Sequence, residues 1–503
     1  MRKADIERLG LDFGIEIPEK RRVGHTEFLG NAGAILEVKR ASPSKGDIAP
    51  DLDPMGLATT YAEAQAQAVS VLTEGNFFKG SLRDLIAVAD LMEKRRQQGL
   101  HACAVLRKDF LLYEDEIDIA YRCGADAVLL IARILDDEQL VSMAKRAQSF
   151  DMQAFVEVRE KDDFRKLSVV TNALGADAAK TIVAGVNSRD LATFHTDPLV
   201  PASFRSKLPA KAVFESGIHT PTDADYARSL GFTGILVGEA VAKNPPLAKE
   251  VVHAFESGSE NARGKFWRKF AEQLAERKFG RQEVCRPLVK ICGITRFEDG
   301  MLAAELGADI LGFVFSNTKR LTTEEFVRSF VEKMRLCHPE QAQRVEGSPL
   351  LIGVITDPNS EEGKTAIKLA REGVLDAVQF HGIAPSNADT DLAHYCAARV
   401  GEPADFEHVA TLRKNGEPRV LLDAKVEGIP GGTGKTIPES LLREKAGDLP
   451  LWLAGGITPE NVATICEKFQ PELIDVSSGV EDAPGIKNSE KLQKLFAEIN
   501  INQ

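Results

Sequence analysis

EVKRASPSKG (residues 37–46), which follows directly on the apolar run GAIL (33–36), is the stretch from which the fold can be read. In a strand over AILEVK alternate side chains share a face, so Glu37 and Lys39 point one way and Leu36 and Val38 the other. A Ser/Pro/Gly loop carrying a further lysine, Lys45, follows at once. The stretch thus reads as a buried strand that ends in a carboxylate, an ammonium and a loop, and the question is what those charges serve.

Outward from it, short apolar runs alternate with longer helical patterns: AILEV, VSVLT, CAVLR, AVLLI, QAFVEV, IVAGV, AVFE and ILVG. Such runs suit strands covered on both faces, and intervening segments such as DEQLVSMAKRAQSF are long enough for crossover helices. Repeated βα units at this density predict a (β/α)8 barrel. After Pro287 the pattern resumes with LVKIC, DILGFVF, LLIGVI, AVQF, AARV, RVLLDA, LWLA and IDV. The halves also echo each other near their ends: AVFESGI precedes GFTGILVGE, and LWLAGGI precedes ELIDVSSGVE, as an internal repeat of a whole barrel would have it. An open doubly wound sheet in each half is the alternative. Glycine loops after both the seventh and the eighth strand favour closure. The expected fold class is α/β, two tandem (β/α)8 TIM barrels, spanning 1–256 and 287–503 with a linker helix over 257–286. In that linker Phe266, Phe270 and Leu274, with Trp267 beside them, form an apolar stripe. A helix docked on a barrel wall is the plainer reading of it, and coupling of two sites the other.

A length of 503 residues fits two large domains, and 43% apolar with 27% charged residues is ordinary for a folded globular chain. The net charge of −12 argues against a nucleic-acid-binding surface and against anchoring to anionic lipid. Any anionic ligand is therefore held by local groups. Seven cysteines without a C-x-x-C pair suit reduced thiols. The opening MRKADIERLG lacks a signal-peptide core, and no stretch approaches the roughly 20 apolar residues of a membrane span. A soluble, cytoplasmic, monomeric protein with small-molecule partners is expected.

In a barrel, chemistry sits at the C-terminal strand ends. In the first half these carry Glu37 and Lys39, Lys108, Glu157, Asn187, Glu215 and Ser216, and Gly238. Each alone could be a local ion pair, Glu37 with Lys39 or Lys108 with Glu157. Together they would place charges from several strands at one mouth, and burying them costs several kcal/mol each, to order of magnitude, unless they pair or serve a ligand. Gly217 and Gly238, at successive strand ends, free backbone N–H groups to approach a phosphate, and Gly455 and Gly456 with Ser478 and Gly479 repeat the device. Other strand ends of the second half carry Cys292, Arg320, His381 and Asp423. A lone Cys or His is usually a core residue. Sharing one rim, Cys292 and Asp423 would supply a base and an acid for moving protons on a sugar phosphate. GIPGGTGKT (428–436) is set aside as a P-loop because the required first glycine falls on Ile429.

These residues are familiar as a set. EVKRASPSKG, VSVLTEGNFFKGS, VLRKDF, GADAVLLIARIL, FVEV, GVNSRDL and ESGI resemble indole-3-glycerol-phosphate synthase over residues 1 to about 255. VKICGITR, GADILGFVFSNTKR, DAVQFHG, LLDA, GGTGKT, LAGGITPENV and IDVSSGVE resemble phosphoribosylanthranilate isomerase from about 287 onward. The whole chain resembles the bifunctional bacterial fusions of the two in tryptophan biosynthesis. The resemblance implies an Amadori rearrangement of N-(5-phosphoribosyl)anthranilate in the second barrel. The first barrel would then close the product to indole-3-glycerol phosphate with loss of CO2 and water. It implies Asp423 as general acid, Cys292 as base, Arg320 facing the anthranilate carboxylate, and His381 and Asp475 as further contacts. In the first barrel it implies Lys108 as the principal acid at the keto group and Glu157 as base, with Glu37 orienting charge. Lys39 would hold the carboxylate or assist dehydration, and Ser42, Asn187, Arg189, Glu215 and Ser216 would touch substrate. No metal or organic cofactor is implied. The N-terminal helix looks about ten residues short of many synthases, which would weaken the cap over the first site. RLCHPEQAQRVEGS (335–348) lengthens one connection of the second barrel with no evident role. A Schiff-base aldolase with Lys108 as nucleophile and a non-catalytic phosphosugar-binding protein are the rival readings.

Overall fold

A computed structural model describes residues 2–43, 45–190, 193–279, 286–337, 348–385, 391–425, 436–446 and 449–500. The core of the GIPGGTGKT motif and most of the 335–348 connection lie outside them. The chain divides into two compact units, Met1–Glu260 and Asn261–Gln503.

In the first unit eight parallel strands close on themselves: β1 (Gly33–Val38), β2 (Ala68–Leu72), β3 (Ala104–Lys108), β4 (Ala127–Ile131), β5 (Gln153–Val158), β6 (Ile182–Asn187), β7 (Ala212–Glu215) and β8 (Gly234–Val237). Nearly every strand residue is buried, which is why the runs read as continuously apolar rather than alternating. Alternation still decides which side chains look inward. Ile35, Ala68, Leu106, Leu129, Phe155, Val183, Val213 and Leu236 fill the interior as one cluster, with Phe28 and Leu29 packed against it. Two residues on, the same faces deliver Glu37, Lys108, Glu157 and Glu215 to the C-terminal rim, and on β6, where Gly185 takes that place, Asn187 follows four residues after Val183. Helix α1 (Arg2–Leu9) presents no buried residue, yet its Arg2 reaches buried Glu116 (2.7 Å) and Asp109 (3.1 Å), the neighbour of Lys108.

The second unit repeats the plan with β9 (Leu288–Cys292), β10 (Ile310–Val314), β11 (Leu350–Ile355), β12 (Ala377–His381), β13 (His394–Val400), β14 (Val420–Ala424), β15 (Trp452–Ala454) and β16 (Leu473–Val476). The pairing register aligns Lys290 with Asp475, Cys292 with Gly312, and Asp423 with Ala454. The helix expected as a linker, α2 (Ala262–Phe279), belongs to this unit. Its stripe does not lie on a wall. Phe270 packs 4.6 Å, and Trp267 6.0 Å, from the ring of Trp452, which begins β15, while Phe266 stacks on Tyr395 near the start of β13. The stripe is therefore placed at the N-terminal end of the barrel, opposite the rim. Among the described residues no helix is long and apolar enough to cross a membrane.

Candidate functional sites

At the first rim Lys39 Nζ sits 3.0 Å from Glu37 Oε1, and Lys108 Nζ lies 3.1 Å from Glu215 Oε2 and 3.8 Å from Glu37 Oε2. Ammonium and carboxylate thus alternate in the order Lys39, Glu37, Lys108, Glu215. Lys108 pairs with Glu215 and Glu37 rather than with Glu157; Glu157 instead accepts from Asn187 Nδ2 at 3.5 Å. Burial alone would raise the carboxyl of Glu37, but Lys39 and Lys108 hold it below its ordinary range. Burial would likewise lower Lys108, but Glu215, Glu37 and Glu157 raise it above an ordinary lysine. Glu215 goes the other way from Glu37, since burial lifts it against the pull of Lys108, and Glu157 adds to the rise.

Above it opens a cavity of about 320 Å³, lined by Lys39, Ser42, Lys108, Glu157, Asn187, Arg189, Ser216, Gly217 and Gly238, with Phe78, Phe110 and Phe194 as an apolar wall. Ser216 (φ 64°) and Gly217 (φ 76°) are consecutive left-handed residues on the cavity wall. Of the expected residues, Glu215 alone is absent from the cavity wall; its carboxylate meets Lys108 Nζ at 3.1 Å instead. Gly185 was not singled out from the sequence. Its position on β6 faces Glu215, and a Cβ there would come within 2.2 Å of Glu215 Oε1. The strand is bare so that the carboxylate can turn inward.

The second rim surrounds a cavity of about 300 Å³ whose wall includes Cys292, Arg320, His381, Asp423, Gly455, Gly456, Asp475, Ser478 and Gly479. Every expected residue of this half is brought to it. His381 Nε2 lies 3.3 Å from Asp423 Oδ2. Arg320 is held by Glu481, with Nη2 at 2.7 Å and Nε at 3.0 Å. Burial raises the Cys292 thiol; Lys290 opposes the rise and Asp475 reinforces it. A Cβ on Gly312, its partner in register, would sit 2.7 Å from Cys292 Sγ. Gly455 (φ 88°) and Gly456 (φ 63°) form a second pair of left-handed residues.

Beneath these groups lies a layer the sequence reading passed over. Lys290 Nζ, fully buried, donates to Asp475 Oδ2 (2.6 Å) and Gln379 Oε1 (2.5 Å). Lys487, from the hairpin after β16, donates to Glu481 Oε1 (2.8 Å) and to the carbonyl of Cys292 (2.5 Å). Lys290 and Gln379 each precede a selected residue by two positions, Cys292 and His381, so strand alternation was a usable signal. Lys487 and Glu481 had none, because a loop hairpin carries no period.

Two family models match the chain, indole-3-glycerol phosphate synthase over residues 23–254 and N-(5'phosphoribosyl)anthranilate isomerase over residues 289–498. An indole-3-glycerol phosphate synthase of a Roseiflexus species is 41% identical, across 43% of this chain and 78% of that protein. A multifunctional tryptophan biosynthesis protein of Schizosaccharomyces pombe is 33% identical across 93% of this chain, and one of Phycomyces blakesleeanus 31% identical across 98%. The chain spans 59% and 65% of the lengths of those two relatives. Among solved structures, phosphoribosyl anthranilate isomerase of Thermotoga maritima is 30% identical over 42% of this chain and 98% of its own, with a TM-score of 0.35.

Proposed function

Because the chain belongs to the indole-3-glycerol phosphate synthase family through residues 23–254 and to the phosphoribosylanthranilate isomerase family through residues 289–498, we propose that it carries out two consecutive steps of tryptophan biosynthesis, one in each barrel. The observation that carries this reading is the pair of unlike rims: a lysine–glutamate array under an aromatic wall in the first, and a thiol and a carboxyl lining one cavity in the second.

In the second barrel the Gly455–Gly456 and Ser478–Gly479 loops would hold the phosphate of N-(5'-phosphoribosyl)anthranilate, and Arg320 its carboxylate. Asp423 would protonate the ring oxygen so that the furanose opens to a Schiff base. Cys292, as thiolate, would remove the C2' proton, and the resulting enol would settle to the ketone without any net change in atoms. In the first barrel Ser216–Gly217 and Gly238 would hold the phosphate, with Phe78, Phe110 and Phe194 against the aromatic ring. Lys108, kept charged by Glu215 and Glu37, would protonate the ketone while the ring carbon bearing the carboxylate attacks it. Loss of CO2 restores aromaticity of that ring, and loss of the hydroxyl as water, with Glu157 taking the proton, completes indole-3-glycerol phosphate. Ser42, Asn187 and Arg189 would contact substrate, and Lys39 would hold its carboxylate or assist the dehydration.

The test is direct. Supplied with phosphoribosylanthranilate, the chain should quench the anthranilate fluorescence and yield indole-3-glycerol phosphate. Turnover of neither substrate would sink the reading, and borohydride trapping of substrate on Lys108 would favour the Schiff-base aldolase instead.

A further inference from the structure

The second barrel contains a hydrogen-bonded run whose directions are fixed from one end. Lys290 has only protons to offer, so the atom of Gln379 that it meets at 2.5 Å is the carbonyl oxygen. Tyr395 Oη donates to the same oxygen at 2.8 Å. With its oxygen committed, the carboxamide turns its nitrogen to Nδ1 of His381, 3.1 Å away. An amide N–H can only donate, so Nδ1 must accept and carries no proton. A neutral imidazole keeps its single proton on the other nitrogen. His381 Nε2, 3.3 Å from Asp423 Oδ2, is therefore the donor in that contact. The run sits on strands, with Lys290 on β9, Gln379 and His381 on β12 and Tyr395 on β13, and Lys290, Gln379 and Tyr395 are fully or almost fully buried.

We propose that Gln379 is a positioning residue of the second site: fixed by Lys290 and Tyr395, it confines His381 to the neutral Nε2–H tautomer, so that Asp423 receives a hydrogen bond and not the charge of an imidazolium. The consequence rests on the reading of Asp423 as the acid. A cation at 3.3 Å would favour the ionised carboxylate and strip the acid of the proton it must deliver. A neutral donor on Oδ2 leaves Asp423 able to hold a proton and still stabilises the carboxylate once it has left. Burial would lower Lys290, but Asp475 holds it above its ordinary value, so the end that sets the direction stays charged.

Long-range proton–nitrogen spectra of the 15N-labelled full chain read the tautomer of each of its nine histidines, with His381 identified by its loss in His381→Gln. The expected pattern is a protonated Nε2 and a bare Nδ1. In Gln379→Glu an acceptor replaces the donor, and Nδ1 should gain a proton while isomerase kcat falls about 100-fold with KM little changed. Gln379→Met, which adds no charge, should give mixed tautomers and a smaller loss. A proton on Nδ1 in the wild type, or an unchanged His381 pattern in both Gln379 variants, would overturn the proposal. Should the tautomers behave as stated while Asp423→Asn keeps full turnover, the assignment of the acid fails and the positioning by Gln379 stands.

Discussion

The two barrels share a plan and differ in where they put their charges. In the first, the interior below the rim is apolar, with Leu106, Leu129 and Phe155 in the middle layer, and the charged groups pair with one another at the mouth. In the second, charge descends one layer: Lys290 and Asp475 form a buried pair in register, and Gln379 and Tyr395 join them. The difference follows the chemistry proposed for each. A lysine acid is kept protonated by carboxylates beside it, and Glu37 and Glu215 do this from neighbouring rim positions. A thiol and a carboxyl instead need groups underneath them that set protonation and tautomer while leaving the cavity to the substrate.

Substitutions can break this comparison at either end. The largest effect is expected for Lys108→Met, which should lower synthase kcat about a thousandfold, within the range of general-acid catalysis, and leave isomerisation intact. Loss of isomerisation as well would show the sites to be linked. Cys292→Ala should do the converse, cutting isomerase kcat about 100-fold or more while the ring-opened intermediate, supplied directly, is still cyclised.

Next come the glycines that make room for each site. In Gly185→Ala the new methyl would meet Glu215 and the ring of Phe155, and in Gly312→Ala it would meet Cys292. Overpacking of this kind costs about 1–3 kcal/mol. Denaturant melts should therefore fall for both, with synthase activity depressed only in the first and isomerase only in the second. A Gly185→Ala chain with full stability and full synthase activity would contradict the placement of Glu215.

The smallest effect concerns pH. A raised thiol pKa means less thiolate at any given pH below it, so alkylation of Cys292 should keep accelerating with pH where an exposed thiol has levelled off. Mass mapping of the Cys292 peptide after timed iodoacetamide treatment reads this. A plateau at neutral pH would mean that Lys290 outweighs burial.

Much of this was legible in the sequence, for physical reasons. Strands buried on both faces leave uninterrupted apolar runs, so both sets of eight strands could be counted, and polar residues at their ends stood out against that background. Alternation explains why Glu37 and Lys39 flank one rim. Partner choice was less legible, because Lys108 lies on β3 and Glu215 on β7, which touch only across the interior. Where α2 docks was less legible, for a related reason. An apolar stripe shows that a face is covered and says nothing of what covers it, here Tyr395 and Trp452.

If each barrel carries a complete and separate site, two damaged chains should complement each other when mixed. Lys108→Met and Cys292→Ala chains are each given phosphoribosylanthranilate, alone and together, and indole-3-glycerol phosphate is measured. Neither should form it alone at an appreciable rate, and the mixture should, because the intermediate released by one chain is finished by the other. If the mixture stays as inactive as its components, with both activities lost from each chain, the sites are not separate and the account fails.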